Sequence, residues 1–285
     1  DGNLPYNATP GFNGLGETNE FSNVSRRPWL TSASSPAVPS RWLEEVPGLI
    51  YAEDDRNLYV NLFVTSQASV RLGRSIVEIR QQSDFPWESA INFEITVPER
   101  KKFSLFIRIP GWARNELLPG SLYSYTLKYS GNPILFINET NVSGSTITNG
   151  YLKIDRDWRG TEKVELKFNM PVRSITSKPS LTNNVGRIAL MRGPIVYCVE
   201  SVDNGGTLKN LEMTPNPRAS LDQATSFLDN AINVYASGWK ESEMVEFRAI
   251  PYFTWGNRGK AEMAVWVRFS QQRRLPVFQR RFEKR

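Results

Sequence analysis

Three segments of this sequence alternate apolar and polar residues with a period of two, and that pattern limits the fold more than any other feature. In Ile91-Asn92-Phe93-Glu94-Ile95-Thr96-Val97 the apolar side chains fall on one face and the polar ones on the other. Phe103, Leu105, Ile107 and Ile109 repeat the pattern with Phe106 out of step, and Val164-Glu165-Leu166-Lys167-Phe168-Asn169-Met170 repeats it cleanly. Successive side chains of a strand point to opposite faces, so these runs fit half-buried antiparallel strands. Shorter candidates lie at 58–64, 77–81, 123–128, 134–137, 152–154, 188–200, 245–255 and 263–267. Turn signals separate them: Pro110-Gly111, Ser130-Gly131-Asn132-Pro133, Asn149-Gly150 and Asn204-Gly205-Gly206. The pattern predicts an all-β fold of packed antiparallel sheets, a β-sandwich. Residues 220–231 are the one stretch here with a helical alternative, and its apolar positions are few.

At roughly 150 residues per domain, 285 residues allow about two domains. Histidine is absent, which excludes Ser-His, Cys-His and His-metal chemistry within these residues. One cysteine excludes an internal disulfide and a Cys-rich zinc site. No apolar stretch reaches the roughly 18 residues that a membrane span needs. The formal charge of +6 is local: residues 268–285 carry seven basic side chains and one acidic, leaving 28 of each sign in residues 1–267. A basic tail can bind nucleic acid or anionic membrane, but no aromatic platform or nucleic-acid motif accompanies this one. It is expected to be a solvated, disordered end, with no nucleic-acid or membrane partner.

Paired carboxylates are the first chemistry to look for in an aromatic-rich β protein, since glycoside hydrolysis commonly uses two. The candidates are Glu44-Glu45, Glu53-Asp54-Asp55, Asp155 with Asp157, and Glu241 with Glu243. Each is expected to be a solvated charge, because adjacent strand residues face opposite ways and the 53–55 triplet falls between strands. Eight tryptophans would suit a sugar partner if exposed and a core if buried, and the core reading is favoured. Cys198 lies in the apolar run Ile195-Val196-Tyr197-Cys198-Val199, where a thiol is an inert small hydrophobe. Asn7, Asn23, Asn138 and Asn141 head glycosylation triplets, which matter only in a secreted eukaryotic protein. These residues alone give a β-sandwich protein without a visible active site.

Eight longer strings stand in one order. They run from Pro47-Gly48-Leu49-Ile50-Tyr51-Ala52 through Leu58-Tyr59-Val60-Asn61-Leu62, Phe85-Pro86-Trp87 and Arg108-Ile109-Pro110-Gly111-Trp112-Ala113. They continue with Asn149-Gly150-Tyr151, Met170-Pro171-Val172-Arg173, Arg192-Gly193-Pro194-Ile195-Val196-Tyr197-Cys198 and Pro251-Tyr252-Phe253-Thr254-Trp255-Gly256-Asn257-Arg258-Gly259. Together, over residues 26–267, this series resembles the C-terminal half of the β-L-arabinofuranosidase-type glycoside hydrolases, family 127 and its relatives. The resemblance implies β-sandwich domains that follow a catalytic (α/α)6 barrel, of which only the last strip would be present. The implied division is a barrel remnant with its nucleophile loop at 1–47, a middle sandwich at 48–200, a C-terminal β domain at 201–267 and the basic tail at 268–285.

In the family that last strip reads approximately Arg-x-Pro-Trp-Phe-x-Cys-x-Cys-Cys-Pro, and its adjacent cysteines include the thiolate nucleophile and bind zinc. Here it reads Arg26-Arg27-Pro28-Trp29-Leu30-Thr31-Ser32-Ala33-Ser34-Ser35-Pro36. The resemblance thus puts Ser34 at the nucleophile position and Ser35 at a zinc-ligand position, with Ser32 at the preceding cysteine. A serine hydroxyl needs an adjacent base to attack and is a poor soft donor to zinc. Ser34 is therefore expected to be inactive and the chain to hold no metal. The family's acid/base glutamate and its other zinc ligands have no counterpart in these residues. The implied function is a non-catalytic C-terminal portion of a retaining enzyme that acts on plant-type arabinose-containing glycans. A free-standing carbohydrate-binding or scaffold module is the alternative.

Overall fold

The structure is a computed structural model and describes residues 37–117, 120–129, 131–142, 146–223 and 231–269. Among the described residues one α-helix, α1 (Ala37–Ile50), leads into nineteen strands. The helix runs through Pro47 and Gly48, so the β structure starts at Tyr51 rather than at the expected residue 48.

The first sheet contains β1 (Tyr51–Glu53), β2 (Asn57–Val60), β3 (Ser66–Leu72), β4 (Ser75–Ser83) and β5 (Ala90–Arg108). After β6 (Tyr123–Tyr125), which joins the other sheet, it continues with β7 (Ile134–Ile137), β8 (Thr140–Asn141), β9 (Ile147–Thr148) and β10 (Tyr151–Lys167). The long strands β5 and β10 pair antiparallel along almost their whole length. Their register shifts between Trp158 and Gly160, and Pro98 lies in the unpaired stretch opposite, where its missing N–H costs no ladder bond.

On one side of that irregularity β5 pairs with β4 and β10 with β7; on the other β5 pairs with β2 and β10 with β9. Each long strand therefore serves two layers. The alternation read from the sequence fills the space between them. Ile91, Phe93, Ile95, Val97, Phe103, Leu105 and Ile107 from β5 meet Leu152, Val164 and Leu166 from β10 in one core. Phe106, out of step in the sequence, points outward and stacks on Tyr59 with ring centroids 4.7 Å apart.

The second sheet adds β11 (Val172–Ser177), β12 (Arg187–Arg192), β13 (Ile195–Glu200), β14 (Leu211–Met213) and β15 (Ala219–Gln223). Its remaining strands are β16 (Ile232–Lys240), β17 (Glu243–Pro251), β18 (Met263–Ala264) and β19 (Val267–Phe269). Its pairing runs β12–β13–β17–β16–β14–β19 and returns to β12, closing a six-stranded ring. Closure removes most of the exposed edges that an open sheet would present. Inside lie Ile188, Leu190, Tyr197, Val199, Val234, Phe247 and Val267. The Tyr197 hydroxyl donates to the Ile232 carbonyl at 2.9 Å, and burial pushes its pKa up to about 12.

The sheets exchange sequence expectations at four points. The boundary expected at residue 200 falls between Lys167 and Val172, because the 188–200 run is two strands of the closed ring and not the last strand of the first core. The 123–125 strand pairs with β11, so a segment within the first domain's sequence is lent to the second sheet. The helical alternative at 220–231 gives way over Ala219–Gln223 to a strand on β16. The tail boundary expected at residue 268 is not where strand structure stops, since Arg268 and Phe269 are strand residues paired with β12 and β14. Residues 270–285 lie outside the described residues.

Ring closure also demands close backbone approach. A Cβ on Gly238 in β16 would sit 2.6 Å from the Glu212 carbonyl oxygen and 2.9 Å from a Phe247 ring carbon. We expect Gly238→Ala to lower stability by about 1–3 kcal/mol through overpacking, read as a lower urea midpoint at unchanged slope.

Candidate functional site

The two serines that the sequence singles out, Ser34 and Ser35, lie outside the described residues, as does Ser32. The carboxylates considered for acid/base chemistry are dispersed. Glu44, Glu45, Glu53, Asp55, Glu241 and Glu243 are exposed. Asp54 accepts from the Asn57 side chain at 2.7 Å and from the Arg56 and Asn57 backbone amides at 2.9 Å, and these bonds hold its carboxyl below its usual range. The Ser104 hydroxyl, then Lys153, does the same for Asp155, and the Arg100 guanidinium does so for Asp157. A general acid needs the opposite shift. None of these groups has the setting for that role.

Cys198 is 1% exposed in the second domain. Trp112, Trp158 and Trp255 are buried, while Trp87, Trp239 and Trp266 are half-buried. Asn138 is already in use: its amide nitrogen donates to Glu162 at 3.1 Å and its oxygen accepts from the Lys163 amide at 2.9 Å.

Two arrangements escaped the sequence reading. The first is an ionic knot beneath the loop that follows β17. Glu200 is 1% exposed; it accepts from the Gly256 backbone amide at 2.7 Å and from the Arg258 guanidinium. Arg258 also donates to both oxygens of Asp203, and Arg248 donates to Asp203 at 3.1 Å. Burial works against the Arg258 charge, but the hydrogen bonds it donates to Asp203 and Glu200 outweigh that and raise its pKa. Asn204 completes the attachment through bonds to the Glu200 and Arg248 carbonyls. Both carboxylates are committed to guanidinium and amide donors. The cluster fixes the loop carrying Trp255 and Phe253, the latter 42% exposed and 5.9 Å from Trp87 of the first domain. Sequence distance hid it, because Glu200 and Arg258 are far apart in the chain and neither belongs to an acidic or basic run.

The second is a groove of about 340 Å³ on the outer face of the first sheet. Its floor is a cross-strand lattice. Arg80, Glu94 and Lys163 form one row across β4, β5 and β10. Gln82, Asn92, Glu165 and Phe136 form the next, extending onto β7. Glu139, in the β7–β8 turn, stands at the end. The alternation that filled the core dictated these polar positions too, yet nothing in the sequence marked them as one surface.

Two family profiles match this chain: the GH127 middle domain of beta-L-arabinofuranosidase over residues 57–170, and the glycoside hydrolase family 127 C-terminal domain over residues 172–268. They meet where the two sheets part. A curated relative, the non-reducing end beta-L-arabinofuranosidase of Bifidobacterium longum subsp. longum, is 26% identical over 267 residues, 84% of this chain and 37% of its own length. A solved GH127 beta-arabinofuranosidase aligns with a TM-score of 0.76 and 31% identity, over 86% of this chain and 40% of that one. A GH127 beta-L-arabinofuranosidase from Geobacillus stearothermophilus T6 aligns with a TM-score of 0.72 and 29% identity, over 86% of this chain and 39% of that one. The chain thus spans about two-fifths of the length of these relatives. Adjoining profiles, sequence identity and structural likeness agree: the chain belongs to glycoside hydrolase family 127, and its β body comprises that family's middle and C-terminal domains.

Proposed function

We propose that this chain is the non-catalytic, C-terminal portion of a β-L-arabinofuranosidase-like glycoside hydrolase. The parent reaction is retaining hydrolysis of terminal β-L-arabinofuranosides in plant glycans. The observation that carries the reading is the match of both accessory-domain profiles to the two sheets, in a chain that spans only two-fifths of its relatives.

Side-chain chemistry supports it. Retaining hydrolysis needs a nucleophile and an acid/base group on opposite sides of one glycosidic bond. Ser34, at the family's nucleophile position, has no histidine anywhere in the 285 residues to serve as its base. Zinc does not fit either. The family's thiolate positions hold Ser32, Ser34 and Ser35, and the one thiol, Cys198, is buried in the second domain. Among the described residues no group of three or more His, Cys, Asp or Glu could hold a metal ion. Leu43 and Leu49 of α1 are 72% and 49% exposed, which suits a helix that packs against further protein in the parent enzyme.

The test is direct. The purified chain, incubated with a β-L-arabinofuranoside, is expected to release L-arabinose no faster than a blank, with or without added zinc. Release above the blank, abolished by Ser34→Ala, would overturn the proposal.

A further inference from the structure

We propose that the groove on the outer face of the first sheet is a non-catalytic binding site for a neutral oligosaccharide. Six of its side chains carry the argument: Arg80, Gln82, Asn92, Glu94, Lys163 and Phe136. The first five make no side-chain hydrogen bond or ion pair with any described residue, although opposite charges stand directly across from one another at Arg80–Glu94 and Glu94–Lys163.

Elsewhere the outward faces of this domain behave differently. Thr96 bonds Thr161 at 2.9 Å in the next row, Lys153 pairs with Asp155 at 2.9 Å, and Arg100 pairs with Asp157. The groove therefore keeps donors and acceptors of both kinds open on a rigid antiparallel lattice. Neighbouring strands lie about 4.8 Å apart and same-face residues about 7 Å apart along a strand, so that spacing is set by backbone and not by flexible loops.

Charge selects the class of ligand. Arg80 and Lys163 stand against Glu94, Glu139 and Glu165, and Lys167 pairs with Glu165 at 3.0 Å. The surface is balanced, so it offers no net field to a polyanion or a polycation. What it offers is alternating donor and acceptor positions, two neutral amides that do both, and the half-buried ring of Phe136, over which the Lys167 ammonium stands 5.0 Å from the centroid. Sugar hydroxyls both donate and accept, and the C–H face of a sugar ring packs on an aromatic. The volume sits at the low end of the roughly 300–1,000 Å³ of small-ligand clefts, which fits the end of a short glycan. The groove lies on the layer of β4 and β7, across the core from β1 and β2, where α1 enters. That places it away from the helix's point of attachment.

The choice of an arabinose-based probe rests on the family reading above, whereas the site itself does not. The experiment is a titration of the full 285-residue chain, labelled with ¹⁵N, with a neutral L-arabinofuranosyl trisaccharide and, separately, with a sulfated glycan. Expected are saturable shifts of the Gln82 and Asn92 side-chain amides with the neutral sugar, none at the remote Asn183 and Asn184, and weaker effects from the sulfated one. Phe136→Ala is expected to weaken binding about tenfold. No shift at Gln82 and Asn92 at saturating sugar, or preference for the sulfated glycan, would overturn the proposal. The wild-type amide shifts decide the matter even if the Phe136 variant does not fold. Arabinose release in the same samples bears only on the inactivity of the chain, so the two proposals fail separately.

Discussion

Arg258→Ala is expected to cost the second domain about 3–5 kcal/mol, because it leaves a buried carboxylate without its counter-ion. Glu200 is 1% exposed, and the guanidinium that meets it also holds both oxygens of Asp203. A domain's whole stability is about 5–15 kcal/mol, so the loss should appear as a large fall in the urea midpoint. Arg258→Lys keeps a charge but not the planar fork, and should lose less. The decisive variant is the double one. Glu200→Gln on the Arg258→Ala background removes the unpaired charge while keeping an acceptor for the Gly256 amide, and should recover part of the stability. If the double variant melts no later than Arg258→Ala, buried charge is not what the arginine compensates. Hydrogen exchange at the 252–262 backbone should rise in Arg258→Ala, since the knot is what fastens that loop.

How much of this was legible beforehand depends on the range over which each feature is encoded. Period-two alternation is local: Ile91–Val97 fell within β5, whereas of the Val164–Met170 run only the first four residues fell within β10, which ends at Lys167, with Phe168 and Met170 still buried beyond it. The partners of a strand are not local. The strand read at 123–128 forms only over Tyr123–Tyr125, and its place beside β11 depends on Ile175 and Ser177, some fifty residues later. The domain boundary was misplaced for the same reason: Ile188–Glu200 looks like any buried strand pair, and only ring closure with β17 and β19 assigns it to the second core. Phe106 was noticed as out of step, and its outward stack with Tyr59 is the cause.

Function was legible in a different way. The ordered strings identified the family's two accessory domains, while the carboxylates adjacent in sequence lie on α1, at the β1–β2 and β16–β17 turns and along β10, with no shared site. The buried carboxylate that matters, Glu200, ends an apolar run with no acidic neighbour in sequence until Asp203. Charge burial is a tertiary property, and only coordinates reveal it. The groove illustrates the same limit: each of its residues is an ordinary outward strand position, and register alone brings Gln82, Asn92 and Glu165 into one row.

The first domain has its own test in Trp158. This residue is fully buried at the irregularity where β10 changes layers, its ring stacked on Phe103 with centroids 5.2 Å apart. Its indole N–H donates to the Phe103 carbonyl at 3.1 Å, which ties the two long strands together at their bend. Trp158→Ala removes a fully buried indole from this core and the hydrogen bond it gives to that carbonyl, with an expected loss of about 3–5 kcal/mol. Trp158→Phe keeps most of the ring and drops only the donor, so it should lose about 1–3 kcal/mol. Because the Trp158 and Arg258 sites belong to separate cores, their losses should add within a few tenths of a kcal/mol in the double variant. Calorimetry of the two single variants reads the same point independently. If the domains unfold separately, Trp158→Ala should shift one transition and Arg258→Ala the other. A shift of both transitions by either variant would mean that the seam through Trp87, Phe253 and Arg192 couples the sheets into one cooperative unit.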